Sequence, residues 1–95
     1  MVKPKPGYRW REGDQVPTCP ATVREIMNGP SFTLGVADAR AGRPYHRDYD
    51  LWDTNTQWVY ERGRAWAMLA PHHVKLRQNS EITPEAIAWY GSDII

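Results

Sequence analysis

The chain has 95 residues, a formal net charge of +1 and five tryptophans. That length suits one domain with a modest core, so each tryptophan supplies a large share of the buried apolar area. We expect no secretory signal and no membrane span, because no apolar run approaches the roughly 20 residues that a spanning helix needs. The single cysteine, Cys19, allows no internal disulfide, and we expect a cytoplasmic protein.

Basic residues are concentrated at the N-terminus. Residues 1–11 carry four of the 12 basic side chains and none of the 11 acidic ones, so this segment has a charge of +4 and the remainder −3. We predict a flexible basic tail over residues 1–11 and a single small helical domain over residues 12–95. The aromatic and basic residues of the tail could form a short strand on the body. Alternatively, they could bind RNA or the ribosome through Lys3, Lys5, Arg9, Trp10 and Arg11.

Two helices are predicted before the middle of the chain. The first is expected to begin at Pro20 and to end at Gly29, because proline suits a first helical position and glycine a C-terminal one. The second is expected to be capped by Ser31 and to end at Gly42. Its helical spacing places on one side Phe32, Gly35, Val36 and Ala39.

The clearest helical pattern runs over residues 55–69, with Asp53 as a suitable N-cap and Pro71 closing it. Glycine inside a helix costs about 1 kcal/mol relative to alanine, so we expect Gly63 to mark the close approach of a second helix. Arg62 lies within the apolar arc, and we expect its buried stem to carry a head group paired with a carboxylate. The apolar arc contains Trp58, Val59, Ala65, Trp66 and Leu69.

The last third of the chain predicts a short hairpin and a helix. Residues 73–77 alternate apolar and polar side chains, residues 78–80 favour a turn, and residues 81–82 can return as a second strand. Thr83 and Pro84 then form a typical helix start. The fold class is therefore mainly α, or α+β: two crossing helices, short helices at the N- and C-terminal ends, and a short β-hairpin.

An internal echo predicts how the two main helices meet. Phe32-x-x-Gly35-x-x-x-Ala39 recurs 28 residues later as Tyr60-x-x-Gly63-x-x-x-Ala67. In each copy two small residues lie on one side of a helix, one turn apart. We therefore predict that the helices cross at Gly35 and Gly63 with their backbones unusually close.

Two resemblances follow from these motifs. The segment G-V-A-D-A-R-A-G-R at residues 35–43, the Pro44-Tyr45 turn, Trp58 and the aromatic-x-x-Gly helix resemble the ribosome modulation factor family over residues 32–69. This resemblance implies an antiparallel helical hairpin with paired glycines and binding to the ribosome, although that family is strongly basic. The stretches Y-E-R-G-R-A-W-A and N-S-E-I-T-P-E-A-I are similar to small uncharacterised proteins of temperate phages and prophages, which implies a genomic context and no assigned activity.

Residues that could carry chemistry are few: Cys19, His46, His72, His73 and the carboxylates Asp48, Asp50 and Asp53. The cysteine lacks a C-x-x-C partner, and adjacent histidines point to opposite faces of a strand, so we expect His72 and His73 to end the helix instead. The carboxylates could bind a cation only with a further ligand, and we expect them to cap the helix and to pair with Arg43, Arg47 or Arg62. We predict no enzyme, no cofactor and no metal site.

The loop between the two main helices is the predicted partner surface. Aromatic and arginine side chains are typical of interface hot spots, and this loop offers Tyr45, His46, Arg47 and Tyr49. Trp52 is expected to close the edge of the core. We therefore expect a non-enzymatic phage- or prophage-type accessory protein that binds a host macromolecule, in the first place a protein. The alternative is an RNA- or ribosome-binding modulation factor that uses the basic N-terminal arm.

Overall fold

A computed structural model describes residues 22–90, together with the backbone of Tyr8–Arg9 and Cys19–Pro20. Its described part contains the helices α1 (Val23–Asn28), α2 (Pro30–Arg40), α3 (Thr54–Leu69) and α4 (Pro84–Trp89), with a 3₁₀ turn at Tyr49–Leu51. Two antiparallel pairs join β1 (Tyr8–Arg9) to β2 (Cys19–Pro20) and β3 (Arg77–Gln78) to β4 (Glu81–Ile82). The predicted mainly α class with a short hairpin is confirmed. None of the described helices is both long and apolar enough to cross a membrane.

Side-chain caps fix where the helices begin. Asp53 Oδ1 accepts a hydrogen bond from Thr56 N at 2.7 Å, and Thr83 Oγ1 accepts one from Ala86 N at 3.0 Å, as expected for α3 and α4. The predicted start of the first helix at Pro20 is wrong, because that residue pairs in β2 and Thr22 caps α1 instead. Ser31 is not a cap either. Gly29 is the cap of α2, and Pro30 takes the first helical position, where its missing N–H costs nothing.

Helices α2 and α3 cross with their backbones in contact, as the echo predicts. A Cβ added at Gly35 would lie closer than 3.0 Å to the carbonyl oxygen of Tyr60, and one added at Gly63 would lie equally close to that of Phe32. Real Cβ atoms essentially never show such separations. Each glycine thus meets the backbone of the aromatic residue in the other copy of the motif. In these reciprocal contacts the later residue of each motif meets the earlier residue of the other, so the two helices run antiparallel.

The core is built around this crossing. Trp66 is fully buried, its Nε1 donates to Ala86 O at 2.9 Å, and its ring contacts Phe32. Phe32 also contacts Tyr90 just beyond α4, so the C-terminal helix is fixed to the crossing. Leu69 is 43% exposed, so its predicted place in the buried arc is wrong. The sequence pattern misses Tyr60, which is completely buried because it faces the loop that follows α2.

Arg62 is 8% exposed, and the expected carboxylate partner is not found within residues 22–90. Its guanidinium lies over the ring of Trp58, with 5.7 Å between the carbon and the ring centroid. Burial lowers the pKa of this guanidinium, and the charge of Glu61 acts in the opposite direction. A cation–π contact therefore takes the place of the predicted ion pair in this part of the chain.

The hairpin is shorter than predicted. Residues 73–76 lie outside it, because Val74 N donates to Pro71 O in a turn directly after α3. Asn79 and Ser80 both have positive φ, as a tight two-residue hairpin turn requires. His72 and His73 are exposed in the preceding turn, and the carbonyl of Trp66 accepts instead from Ala70 N, so their predicted role at the helix end is wrong.

Candidate partner-binding loop

The loop over residues 43–52 is held against α3 by side chains of that helix. Tyr60 Oη accepts from His46 N at 3.0 Å, and Arg64 Nη2 donates to Arg43 O at 2.9 Å. Gln57 Nε2 donates to Tyr49 O at 2.8 Å. These α3 side chains thus pair backbone N–H and C=O groups of the loop that have no partner in a helix or sheet. An irregular segment therefore has a fixed path.

Asp38 is the charged centre of this anchoring. It is 4% exposed, and its two oxygens accept from Tyr60 Oη at 2.6 Å and from Arg43 Nε at 2.9 Å. Burial raises the pKa of its carboxyl, but the hydrogen bonds from Tyr60 and Arg43 outweigh burial and hold the pKa below the ordinary value of 3.8. The expectation that Arg43 pairs with a carboxylate of the loop is wrong, because its partner lies on α2.

This carboxylate should make stability depend on pH. Because the folded-state pKa of Asp38 lies below the unfolded value, its contribution is complete above about pH 4 and is lost as the pH falls through the folded value. Asp53 has a lowered pKa for a similar reason, the hydrogen bond from Thr56 N. We expect the Asp53→Asn variant, which keeps its cap, to lose stability between pH 4 and 2 in urea denaturation. Adding Asp38→Asn should flatten that loss, and an unchanged slope would contradict the role of Asp38.

An aromatic cluster fills the space between the loop and α3. Tyr49 and Tyr45 stack edge to face at 4.9 Å, and Trp52 meets the ring of Tyr60 at 5.1 Å, which places Trp52 at the edge of the core as expected. The Tyr49 hydroxyl donates to the carboxylate of Glu61. Burial and this hydrogen bond raise the pKa of Tyr49. Tyr49 therefore belongs mainly to the internal structure of the loop.

The four residues of the predicted partner surface do not form one exposed set. His46 is half-buried, with its ring 5.1 Å from that of Trp52, and Tyr49 is half-buried beside α3. Tyr45 is 50% exposed and Arg47 is exposed. Leu51, which sequence reasoning missed, is 83% exposed in the same loop. The feature of the sequence that could have indicated Leu51 is an aliphatic residue within a mostly polar and aromatic segment.

An open groove of about 410 Å³ lies beside Tyr45. Its walls combine apolar and basic groups with one buried acid, and its lining consists of Leu34, Asp38, Arg43, Pro44, Tyr45, His46 and Arg47. Arg64 lies behind the tyrosine, with its guanidinium carbon 4.8 Å from the ring centroid. The groove thus joins three of the four predicted partner-surface residues to the apolar side chains of Leu34 and Pro44, which the sequence did not assign to that surface.

Other candidates have structural uses or lie elsewhere. A second groove, of about 450 Å³, separates the hairpin from α4, but its Thr83 caps the helix and its His73 lies 4.0 Å from Glu85. Among the described residues, no three His, Cys, Asp or Glu side chains lie close enough together to hold a metal ion. The predicted basic arm falls outside the described residues, except for the backbone of Arg9 in β1, which pairs with β2 and lies against α3.

Comparison with known proteins finds no family model, no curated protein and no solved structure that matches the chain.

Proposed function

We propose that the protein is a non-enzymatic accessory protein of phage or prophage type that binds a host protein through the α2–α3 loop. The phage setting comes from the sequence resemblance alone. The observation that supports binding is the combination of a fixed loop backbone with large exposed side chains. Tyr45 and Leu51 project from a loop that three α3 side chains hold by hydrogen bonds.

Preorganisation favours such a surface energetically. A loop that is already ordered loses little conformational freedom on binding, so more of the contact energy appears as affinity. Tyrosine and arginine are enriched among interface hot spots, and the loop exposes Tyr45, Arg47 and Leu51. Packing of the chain itself does not use these three side chains fully. In this proposal His46 and Tyr49 support the surface from beneath.

Three groups near the loop that could act as an acid or a base are engaged in structural contacts, which supports binding rather than catalysis. Asp38 accepts from Tyr60 and Arg43, so both of its oxygens are occupied. Glu61 accepts from Tyr49. The ring nitrogen Nδ1 of His46 accepts from the backbone N–H of Asp48 at 3.1 Å. A catalytic acid or base needs an available proton site within reach of a substrate.

The test is capture from a host lysate on the immobilised protein, with and without RNase. We expect Tyr45→Ala combined with Leu51→Ala to weaken retention of the partner at least about tenfold, the effect of losing one or two hot spots. Met68→Ala is the matched control, because Met68 is 82% exposed on α3 and lies outside the loop. Loss of capture after RNase would favour the RNA-binding alternative. Equal retention by the loop variant and the control would contradict the proposal.

A further inference from the structure

We infer that the groove beside Tyr45 binds an acidic peptide segment of the partner, with one apolar side chain in the groove and a carboxylate on Arg43 and Arg47. This inference rests on the proposed function, and it adds the chemical class of the partner and the residues that select it. The observations behind it are the apolar walls of the groove, the positive charges at its rim and the terminal nitrogens of Arg43, which have no acceptor among the described residues.

The apolar part of the groove can hold a side chain. Leu34, Pro44 and the exposed face of Tyr45 supply aliphatic and aromatic walls. The volume of about 410 Å³ is near the lower end of the roughly 300–1,000 Å³ of ligand sites, which suits one or two side chains. A branched or aromatic residue of a partner would remove these walls from water.

The charges around the groove favour an acidic residue next to the partner side chain that occupies it. The only acid in the lining is Asp38, which is 4% exposed and has both oxygens engaged. Two arginines, Arg43 and Arg47, stand at the exposed rim. A partner carboxylate would therefore meet positive charge that no exposed acid of the lining offsets.

Arg43 is already oriented for such a contact. Its Nε donates to Asp38, which fixes the plane of the guanidinium, while 56% of the side chain stays exposed. Among the described residues none accepts a hydrogen bond from its two terminal nitrogens. Those nitrogens form the fork that binds a carboxylate with two parallel hydrogen bonds. Arg64, by contrast, uses its terminal nitrogens on the carbonyls of Arg43 and Pro44.

The aromatic surface favours a peptide over a single-stranded nucleic acid. Stacking of successive bases needs open ring faces in a row. Tyr45 has Arg64 over its ring and packs edge to face with Tyr49 and Tyr60. Tyr49 and Tyr60 are themselves half-buried and buried. One partly open ring suits one anchor side chain.

The test uses three fluorescein-labelled twelve-residue peptides and fluorescence anisotropy with the full chain. The first has a central Leu-Phe pair flanked by Asp and Glu, the second replaces the acids by Asn and Gln, and the third replaces the Leu-Phe pair by serines. We expect the first to bind at least about tenfold more tightly than either of the others, because each lacks one half of the recognition. Equal binding of the first two peptides would overturn the inference.

Variants locate the contact. We expect Arg47→Gln and Tyr45→Ala each to weaken binding of the acidic peptide about tenfold, whereas Lys75→Gln, which removes one positive charge from outside this groove, should change it less than twofold. A labelled twelve-nucleotide oligouridine that binds better than the acidic peptide would overturn the inference. If the lysate partner needs Tyr45 but the acidic peptide neither binds nor competes, the inference fails and the proposed function stands. If the combined Tyr45→Ala and Leu51→Ala variant also captures the lysate partner as well as the control does, both fail.

Discussion

Gly63→Ala is expected to lower the melting temperature by at least about 10 °C, although alanine is the better helix former. The new methyl group would lie closer than 3.0 Å to the backbone of Phe32, which has no rotamer with which to move away. Overpacking of this kind costs about 1–3 kcal/mol or more, and a rigid backbone neighbour places this site at the upper end. The helix-propensity gain of about 1 kcal/mol is smaller. For a domain of this size 1 kcal/mol corresponds to roughly 4–8 °C.

Thermal unfolding followed by circular dichroism measures this effect, and two variants control it. Ala37→Leu adds more bulk on the exposed side of α2 and should shift the melting temperature by only a few degrees. Gly35→Ala should destabilise as Gly63→Ala does, because its contact with Tyr60 is the mirror of the first. The double variant should cost less than the sum, since one separation of the helices relieves both clashes. An unchanged or raised melting temperature in either single variant would contradict the backbone contact.

The crossing could be predicted from sequence because the same short motif, an aromatic residue followed by glycine one turn later, occurs in both helices. A glycine inside a long helix needs a packing reason. The N-caps Asp53 and Thr83 were predictable for a similar reason, since a cap acts on backbone groups two or three residues away. Features whose cause lies within one turn of helix are visible in the sequence.

The anchoring of the loop could not be predicted, because its causes lie far apart in the chain. Asp38 and Tyr60 are 22 residues apart, and their contact exists only after the helices have crossed. Before that contact is known, an acid on α2 and a tyrosine outside the predicted apolar arc of α3 give no sign that they meet. The start of α1 was missed for the same reason, because Pro20, a good first helical residue, pairs in a strand with the distant Tyr8.

The exposed side chains of the loop were only half predictable. Composition identified the loop, because tyrosine and arginine are hot-spot residues wherever they are exposed. Exposure, however, is a tertiary property. Tyr49 faces Glu61 and His46 faces Trp52, while Leu51 turns outward, and none of these directions follows from spacing in an irregular segment.

Tyr60→Phe is expected to reduce the free energy of unfolding by about 2–4 kcal/mol, the second large effect. The ring stays in its fully buried place, so packing is retained and only the hydroxyl is lost. That hydroxyl donates to Asp38 and accepts from the backbone N–H of His46 and from Arg64. Its removal leaves one buried carboxylate oxygen and one amide without partners. A buried donor left unpaired costs about 1–3 kcal/mol, and a charged group costs more.

Urea denaturation measures the loss, and hydrogen exchange of the His46 amide shows its origin. That amide should exchange slowly in the wild-type protein and rapidly in Tyr60→Phe, because the hydroxyl is its acceptor. Tyr49→Phe is the matched control: it removes a half-buried hydroxyl that bonds Glu61, and it should cost less than about 1.5 kcal/mol while the His46 amide stays protected. Full stability with an unprotected His46 amide would show that anchoring of the loop does not contribute to the stability of the fold. Full stability with a protected amide would show that another group holds the loop, and the proposed partner surface would then lose the contact on which its preorganisation depends.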